Sequence, residues 1–290
     1  MIIEYSNQIY PEKLKQIKKP PSRLYVLGNV EILNKNGIAV VGSRTNTQYG
    51  EKMCKTFVKN LVEYDLNIIS GLAIGIDSIA HKTSLKNSGK TIAVLPCGFN
   101  NIYPEINIPL AKEILKNGGT LVSEYDENTK PDSKKFKERN RIVAGLGIGT
   151  LIIEAGNRSG TSITARHTIE QGKPVFSIPS NLDNKKGKIT NELIRNGAYL
   201  VRNVEDIINT YDINFTKRKS KIKDIYLDIP EELIDVYKVI NDIPKDINKI
   251  ANETNLNISD VNYKTMLLVM ENKIIELPGQ RFVRNDEQYE

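Results

Sequence analysis

The chain of 290 residues is long enough to bury a sizeable core and to form one large domain and a small one. Its content of 39% hydrophobic and 26% charged residues is typical of a soluble globular protein, and no apolar run approaches the roughly 20 residues of a membrane span. The N-terminus lacks the basic start and apolar centre of a secretory signal, which favours a cytoplasmic protein. The two cysteines and two histidines have spacings that predict neither a disulfide framework nor a metal site.

The net charge of +6 is unevenly distributed along the chain. Residues 228–290 carry −6, whereas residues 1–227 carry +12. A basic excess can be a merely solvated surface, but it also favours a polyanionic partner for the larger part of the chain.

Seven short apolar runs of β type recur along the larger part. Their starts lie 24 to 30 residues apart, which leaves room for one strand, one helix and two loops. Segments of helical periodicity separate them, and the runs are almost continuously apolar, as in parallel strands covered on both faces. The sequence therefore predicts a doubly wound, mostly parallel α/β domain of Rossmann-like type over residues 37–211, after a short N-terminal extension of residues 1–36. The runs begin at Ile38, Asn67, Thr91, Thr120, Thr150, Pro174 and Ala198.

A basic run without apolar periodicity, TKRKSKIK, follows this domain and predicts a solvated linker over residues 212–227. Residues 228–290 then show three helical patterns and a hairpin pattern with a Pro-Gly turn. Three helices and a β-hairpin predict a small C-terminal winged-helix domain. Because this domain is acidic, it should repel phosphates, so we expect it to contact protein, or the basic domain of its own chain, instead of duplex DNA.

Small residues follow four of the predicted strands. In a doubly wound sheet, ligands bind beyond the carboxyl ends of the strands, where the N-termini of helices offer unpaired N–H groups. We therefore expect one wide anion-binding rim. Its residues include Gly42, Ser43 and Arg44 after the first strand, Gly71 after the second, Gly98 after the third, and Ser159, Gly160 and Thr161 after the fifth.

The densest basic segment is SKKFKERNR, which ends at Arg141. Lys137 and Arg139 flank the ring of Phe136, and Asn140 adds an amide that can form hydrogen bonds. Cations for phosphates and a ring on which a base can stack are typical of single-strand binding. A solvated helix face is the alternative explanation.

The familiar nucleotide-binding and catalytic signatures are missing. There is no GxGxxG, and SGKT at residues 88–91 lacks the first glycine of a phosphate loop and leads into a strand. Asp77 and His81 lie four residues apart on a predicted helix and could form a catalytic pair, but the helix dipole alone favours an acid in a first turn. No serine or cysteine nucleophile with a base at a recognisable spacing is present.

Six ordered segments resemble signatures of the DNA-processing protein A family (DprA, also called Smf). Together they cover most of residues 5–211, and the tail resembles the winged-helix domain that follows in many members. The segments are IAVVGSRTNTQYG, IISGLAIGIDSIAHKTSL, TIAVLPCGFNNIYP, LVSEYDENTKPDSKKFKERNRIVAGL, LIIEAGNRSGTSITARHTIEQGKPVFSIP and TNELIRNGA.

The resemblance implies a bacterial cytoplasmic protein that binds incoming single-stranded DNA during natural transformation, dimerises through its α/β domain and loads RecA recombinase. It implies no catalytic reaction, no cofactor and no metal. Arg44 would grip a phosphate with its fork of donors or stack on a base, whereas a structural ion pair is the alternative for this residue. With Gly71 from the predicted rim, the DNA-contacting positions are Gly42, Ser43, Arg44, Phe136, Lys137, Arg139, Asn140, Arg141, Ser159, Gly160, Thr161 and, as a further basic residue, Lys173.

The chain departs from the family pattern in one loop. The usual glycine after VFSIP is Ser180 here, and NKKGKITN at residues 184–191 is an altered sequence. These departures concern the shape of the loop rather than the function.

Two other functions fit parts of the pattern. A nucleotide hydrolase of the Lonely-guy type has a related fold with PGGxGTxxE, but GNRSGTSIT places Thr164 where that motif has its glutamate, so the reaction would lack its acid or base. A scaffold that senses a mononucleotide at the same rim is the other alternative. The salt dependence of binding distinguishes it from a protein that holds several phosphates.

Overall fold

The computed structural model describes residues 1–156, 160–218, 229–241 and 243–285. The chain divides into two compact units, Met1–Arg218 and Lys219–Glu290. Within the described ranges, no helix combines the length and the apolar character needed to cross a membrane.

Among the described residues of the first unit, nine strands form one sheet in the order β1-β2-β6-β5-β4-β3-β7-β8-β9. β1 and β2 pair antiparallel with each other and β2 with β6, whereas the remaining pairs are parallel. This arrangement confirms the predicted mostly parallel α/β fold. The strands are β1 (Ile2–Glu4), β2 (Arg23–Gly28), β3 (Gly37–Val41), β4 (Asn67–Ser70), β5 (Thr91–Leu95), β6 (Thr120–Ser123), β7 (Gly149–Ile152), β8 (Val175–Ser177) and β9 (Tyr199–Leu200).

Helices cover both faces of this sheet. Ile38 and Val40 of β3 belong to one core cluster, and Ala39 and Val41 belong to another, so successive side chains point to opposite faces. This double burial explains the continuous apolar runs in the sequence. The helices of this unit are α1 (Glu12–Lys15), α2 (Gln48–Glu63), α3 (Ile76–Lys86), α4 (Ile108–Lys116), α5 (Ser133–Leu146), α6 (Gly160–Glu170), α7 (Lys188–Arg195) and α8 (Val204–Ile208).

The direction in which the chain builds the sheet reverses at β3. The chain adds β4, β5 and β6 on one side of β3, and then returns to place β7, β8 and β9 on the other side. The loops that leave β3 and β7 therefore run in opposite directions and open a crevice between them at the carboxyl edge. Ligands of doubly wound proteins bind at such a switch point.

Residues 1–36, predicted to be a short extension, are part of the first unit. They supply β1 and β2 to the sheet, and Tyr10 and Leu14 are fully buried. The contact of α1 with α5 is so close that a Cβ on Gly145 would lie 2.5 Å from a methyl group of Leu14. This segment is thus a layer of the core rather than an appendage.

The predicted linker begins as an ordered segment of the first unit. The ring of Phe215 packs on that of Tyr211, with their centroids 5.9 Å apart. The guanidinium of Arg218 pairs with Asp65. The remainder of the predicted linker lies outside the described residues.

Among its described residues, the second unit contains the predicted three helices and hairpin, with a common core. Its three-stranded sheet has the order β10-β12-β11 and is antiparallel. The helices are α9 (Ile234–Val239), α10 (Ile247–Thr254) and α11 (Ile258–Met270), and the strands are β10 (Lys245–Asp246), β11 (Ile274–Leu277) and β12 (Arg281–Arg284).

One face of α11 is apolar and exposed. Tyr263, Met266 and Met270 lie three or four residues apart, so they share a side of the helix, and all three are exposed. A helix that enters a DNA groove usually brings cations to the phosphates. That this unit contacts protein instead of duplex DNA stays a prediction.

The burial of Leu14 generates a test of the N-terminal layer. Leu14→Ala leaves a cavity between α1 and α5, and we expect the free energy of unfolding to fall by about 2–5 kcal/mol. Chemical denaturation measures this change, with the exposed Lys18→Ala as the control. If both variants unfold at the wild-type denaturant concentration, residues 1–36 do not stabilise the core.

Candidate functional site

A cavity of about 980 Å³ opens at the carboxyl ends of β3, β4 and β7. Its wall consists of the loops that follow these strands, one side of α5, the start of α6 and the loop after β8. The structure thus brings ten of the thirteen predicted site residues to one place. They are Gly42, Ser43, Arg44, Gly71, Phe136, Lys137, Arg139, Asn140, Gly160 and Thr161.

Arg44 lies exposed in the tight turn between β3 and α2. The hydroxyl of Thr47 accepts a hydrogen bond from the backbone N–H of Gly50 at 3.1 Å and so caps α2 directly after this turn. The Arg44 guanidinium lies 5.5 Å from the centroid of the Phe136 ring, within the range of a cation–π contact. In the part of the chain that the structure describes, Arg44 forms no ion pair, so its guanidinium edges can bind a ligand.

A second aromatic ring, which the sequence analysis missed, stands beside Phe136. Tyr103 follows β5 and meets Phe136 edge to face, with centroids 5.7 Å apart and an interplanar angle of 79°. Its side chain is 47% exposed although it is aromatic. Only its position after a predicted strand, in the same kind of loop as Arg44, could have signalled it.

Arg139 holds the floor of the cavity together. It is only 4% exposed, and its guanidinium donates hydrogen bonds to the carbonyl oxygens of Gly71, at 2.6 Å, and Val94. Burial lowers the pKa of Arg139 to about 10, so it remains charged at neutral pH. A Cβ on Gly71 would lie 2.6 Å from this guanidinium, which explains the glycine there. Two N–H donors of Arg139 are therefore hydrogen-bonded to the backbone at the carboxyl ends of β4 and β5.

Asp77 and His81 do not form a catalytic pair. The Asp77 carboxylate accepts hydrogen bonds from the backbone N–H groups of Gly71, at 3.1 Å, and Ala73, at 3.4 Å. The buried Nδ1 of His81 bonds instead to the hydroxyl of Thr91 at 2.7 Å, and burial lowers the pKa of His81 to about 3. The acid thus fixes a loop at the N-terminus of α3, as the dipole explanation anticipated.

The structure does not bring Arg141 and Lys173 to the cavity wall. Arg141 forms a largely buried ion pair with Glu124. The Lys173 ammonium donates hydrogen bonds to the carbonyl oxygens of Ala144, at 3.1 Å, and Gly145, at 2.6 Å, which lie in the last turn of α5. Burial lowers the pKa of Lys173 to about 8. Ser159, the remaining predicted residue, lies outside the described residues.

Two further cations at the cavity escaped the sequence analysis. Lys185 and Lys186 line it from the loop after β8, within the altered NKKGKITN sequence. Cations outnumber anions among the described lining residues, so the cavity favours an anionic ligand. The cations are Arg44, Lys137, Arg139, Lys185 and Lys186, and the anions are Asp77 and Asp132.

The described residues contain no group of three or more His, Cys, Asp or Glu side chains that could hold a metal ion. The two acids of the cavity are both occupied. Asp77 accepts hydrogen bonds from backbone N–H groups. Asp132 caps the N-terminus of α5 and forms an ion pair with Lys135. Among the described lining residues, the arrangement therefore offers cations and aromatic rings, and both carboxyl groups already have hydrogen-bond partners.

Known proteins of similar sequence include protein Smf of Escherichia coli K12, which is 40% identical over 207 residues. The match covers 71% of this chain and 55% of the Escherichia coli protein, so the chain spans little more than half the length of that relative. DNA processing protein DprA of Bacillus subtilis is 38% identical over 206 residues, which are 71% of this chain and 69% of that protein.

Two solved structures share the fold. DNA processing protein A from Streptococcus pneumoniae matches with a TM-score of 0.70 and 36% identity, over 74% of this chain and 75% of that one. A structure that concerns the unique single-stranded DNA binding mode of DNA processing protein A from Helicobacter pylori matches with a TM-score of 0.65 and 32% identity, over 72% of this chain and 95% of that one. Both confirm the α/β architecture.

The family model for DNA recombination-mediator protein A matches residues 1–212. This range holds all nine strands of the sheet in the first unit, including β1 and β2, and every described residue that lines the cavity. The resemblance seen in the sequence is therefore confirmed, and the chain belongs to the DNA recombination-mediator protein A family.

Proposed function

We propose that the first unit binds single-stranded DNA in the cavity at the carboxyl edge of its sheet and acts as a recombination mediator. One observation carries the proposal. The exposed guanidinium of Arg44 lies over the ring of Phe136, beside the exposed ring of Tyr103, in a cavity where cations predominate. Cations for phosphates and rings for bases are the two components of a single-strand site.

The exposed ring of Tyr103 and the partly exposed ring of Phe136 favour a single strand over a duplex. A base can stack on an aromatic side chain only when its face is free, whereas the bases of a duplex are already stacked on each other. Arg44 and Lys137 are both exposed and would meet the backbone phosphates beside such a base. Because Arg44 already contacts Phe136, a bound base would extend an existing stack of cation and ring.

The relatives support the same ligand. The Helicobacter pylori structure concerns the single-stranded DNA binding of that protein, and the family is one of DNA recombination mediators. From the family resemblance we further propose that the protein is a cytoplasmic homodimer, that it serves natural transformation and that it passes its DNA to RecA recombinase. The proposal includes no enzymatic reaction and no cofactor.

The proposal is tested by the salt dependence of binding. We expect a 20-nucleotide oligothymidine to bind more tightly than a blunt duplex of the same length, and its affinity to fall steeply with salt, with a slope of about −0.7 for each phosphate contacted. Fluorescence anisotropy between low and moderate salt measures both quantities. A slope as shallow as that of thymidine monophosphate would indicate a mononucleotide sensor, and tighter binding of the duplex would contradict a single-strand site.

Arg44→Ala removes the guanidinium that can contact both phosphate and base. We expect the affinity for the oligothymidine to fall at least about tenfold. Arg44→Lys keeps the charge but loses the planar set of guanidinium donors, so its affinity should lie between those of the alanine variant and the wild type. Arg166→Ala is the matched control, because Arg166 is an exposed arginine of α6 that does not line the cavity. Equal affinities of the Arg44 and Arg166 variants would exclude a contact at Arg44.

Phe136→Ala removes the ring on which a base would stack. We expect a loss of about 1–3 kcal/mol in binding free energy, and nearly wild-type binding for Phe136→Tyr, since tyrosine keeps the stacking face. Anisotropy titrations give the affinities, and thermal unfolding shows whether the ring also stabilises the fold. A large fall in Tm with unchanged affinity would show that Phe136 is a core residue only.

A further inference from the structure

We propose that Lys185 and Lys186 bind backbone phosphates of the single strand from the loop after β8, as a second cationic wall separate from Arg44 and the cations of α5. This inference rests on the proposed function. Both lysines line the cavity. The loop, residues 180–187, is the segment in which the chain departs from the pattern of its family.

Asn184 organises this loop internally. Its side-chain amide donates a hydrogen bond to the hydroxyl of Ser180 at 2.9 Å, and its side-chain carbonyl accepts one from the backbone N–H of Lys186 at 3.0 Å. The backbone N–H of Gly187 donates to the carbonyl oxygen of Asn184 at 2.9 Å. Ser180 stands where the family usually has glycine, so this departure supplies the acceptor that Asn184 uses. The serine and the lysine pair are parts of one local structure.

Neighbouring segments fix the same loop from outside. The backbone N–H of Ala155, after β7, donates to the carbonyl oxygen of Lys186 at 2.8 Å. Asn191 of α7 accepts a hydrogen bond from the backbone N–H of Ser180 at 3.0 Å and donates one to its carbonyl oxygen at 2.8 Å. The backbone of the loop is therefore held at both ends, which reduces the entropy lost when a ligand binds.

A buried carboxylate joins this loop to the turn that carries Arg44. Glu154 is fully buried and accepts hydrogen bonds from the backbone N–H of Thr47 at 2.9 Å and from its hydroxyl at 2.5 Å. On the side of the loop after β8, the side-chain amide of Asn184 donates a hydrogen bond to the same carboxylate at 3.4 Å. Gly50 permits the arrangement, because a Cβ there would collide with the carboxylate. Glu154 is thus a positioning residue between the two sets of cations.

The two lysines remain available to a ligand. Lys185 is exposed and Lys186 is half-buried, and among the described residues neither forms an ion pair. Two cations held beside a cavity that already favours anions should bind phosphates from a side that Arg44 and Lys137 do not occupy.

The test removes both charges while keeping polar side chains of moderate length. In the double variant Lys185→Gln, Lys186→Gln, we expect the affinity for a 20-nucleotide oligothymidine at low salt to fall about tenfold, and the salt slope to become shallower by about 1.4, as for two lost contacts to a single strand. The control is Lys188→Gln, because Lys188 is the next lysine, is exposed and does not line the cavity. It should keep the wild-type affinity and slope.

A second variant separates charge from packing. Lys185→Arg, Lys186→Arg keeps both charges and should keep the wild-type slope, so a slope as shallow as that of the glutamine variant would overturn the inference. Wild-type affinity of the glutamine variant, with weakened binding by Arg44→Ala, would also overturn it and leave the proposed function standing. Failure of the wild-type protein to bind the oligothymidine would instead contradict the proposed function itself.

Discussion

The direction reversal at β3 is the constraint on which the site depends. Parallel strands all end at the same edge of a sheet, so the loops after β3, β4 and β7 meet there although they are far apart in the chain. Since the connections from β3 and β7 leave in opposite directions, the space between them stays open. Side chains as distant in sequence as Arg44 and Lys185 can therefore line one cavity.

Buried charges hold this edge in place, and exposed charges remain free for the ligand. Arg139 joins the ends of β4 and β5 to α5, and Glu154 joins the turn of Arg44 to the loop after β8. Both groups are paired with several hydrogen-bond partners, which a buried charge requires. Lys137 lies on the same helix as Arg139 but two residues away, so it points to a different side and stays exposed.

The sequence predicted the parts of the structure that follow from periodicity and from strand ends. The parallel strands and the rim were predictable because a doubly covered strand is continuously apolar and its end carries small residues. β1 and β2 escaped prediction, since they are antiparallel strands beyond the repeating units. The high density of charge in SKKFKERNR does not indicate which cations have partners within the protein. In the structure, Arg139 donates a hydrogen bond to the carbonyl oxygen of Gly71 and Arg141 pairs with Glu124. Tyr103 and Lys185 carry no periodic signal, because they lie on loops.

The close approach of Gly50 to Glu154 links two positions more than a hundred residues apart. A side chain larger than hydrogen at the first position requires a shorter or displaced group at the second, and losing the carboxylate would leave Thr47 and Asn184 without their shared acceptor. A substitution at either position alone would therefore disturb both loops. In an alignment of relatives, positions 50 and 154 should therefore vary together. This covariation would result from the steric contact between the two residues rather than from a contact with any ligand.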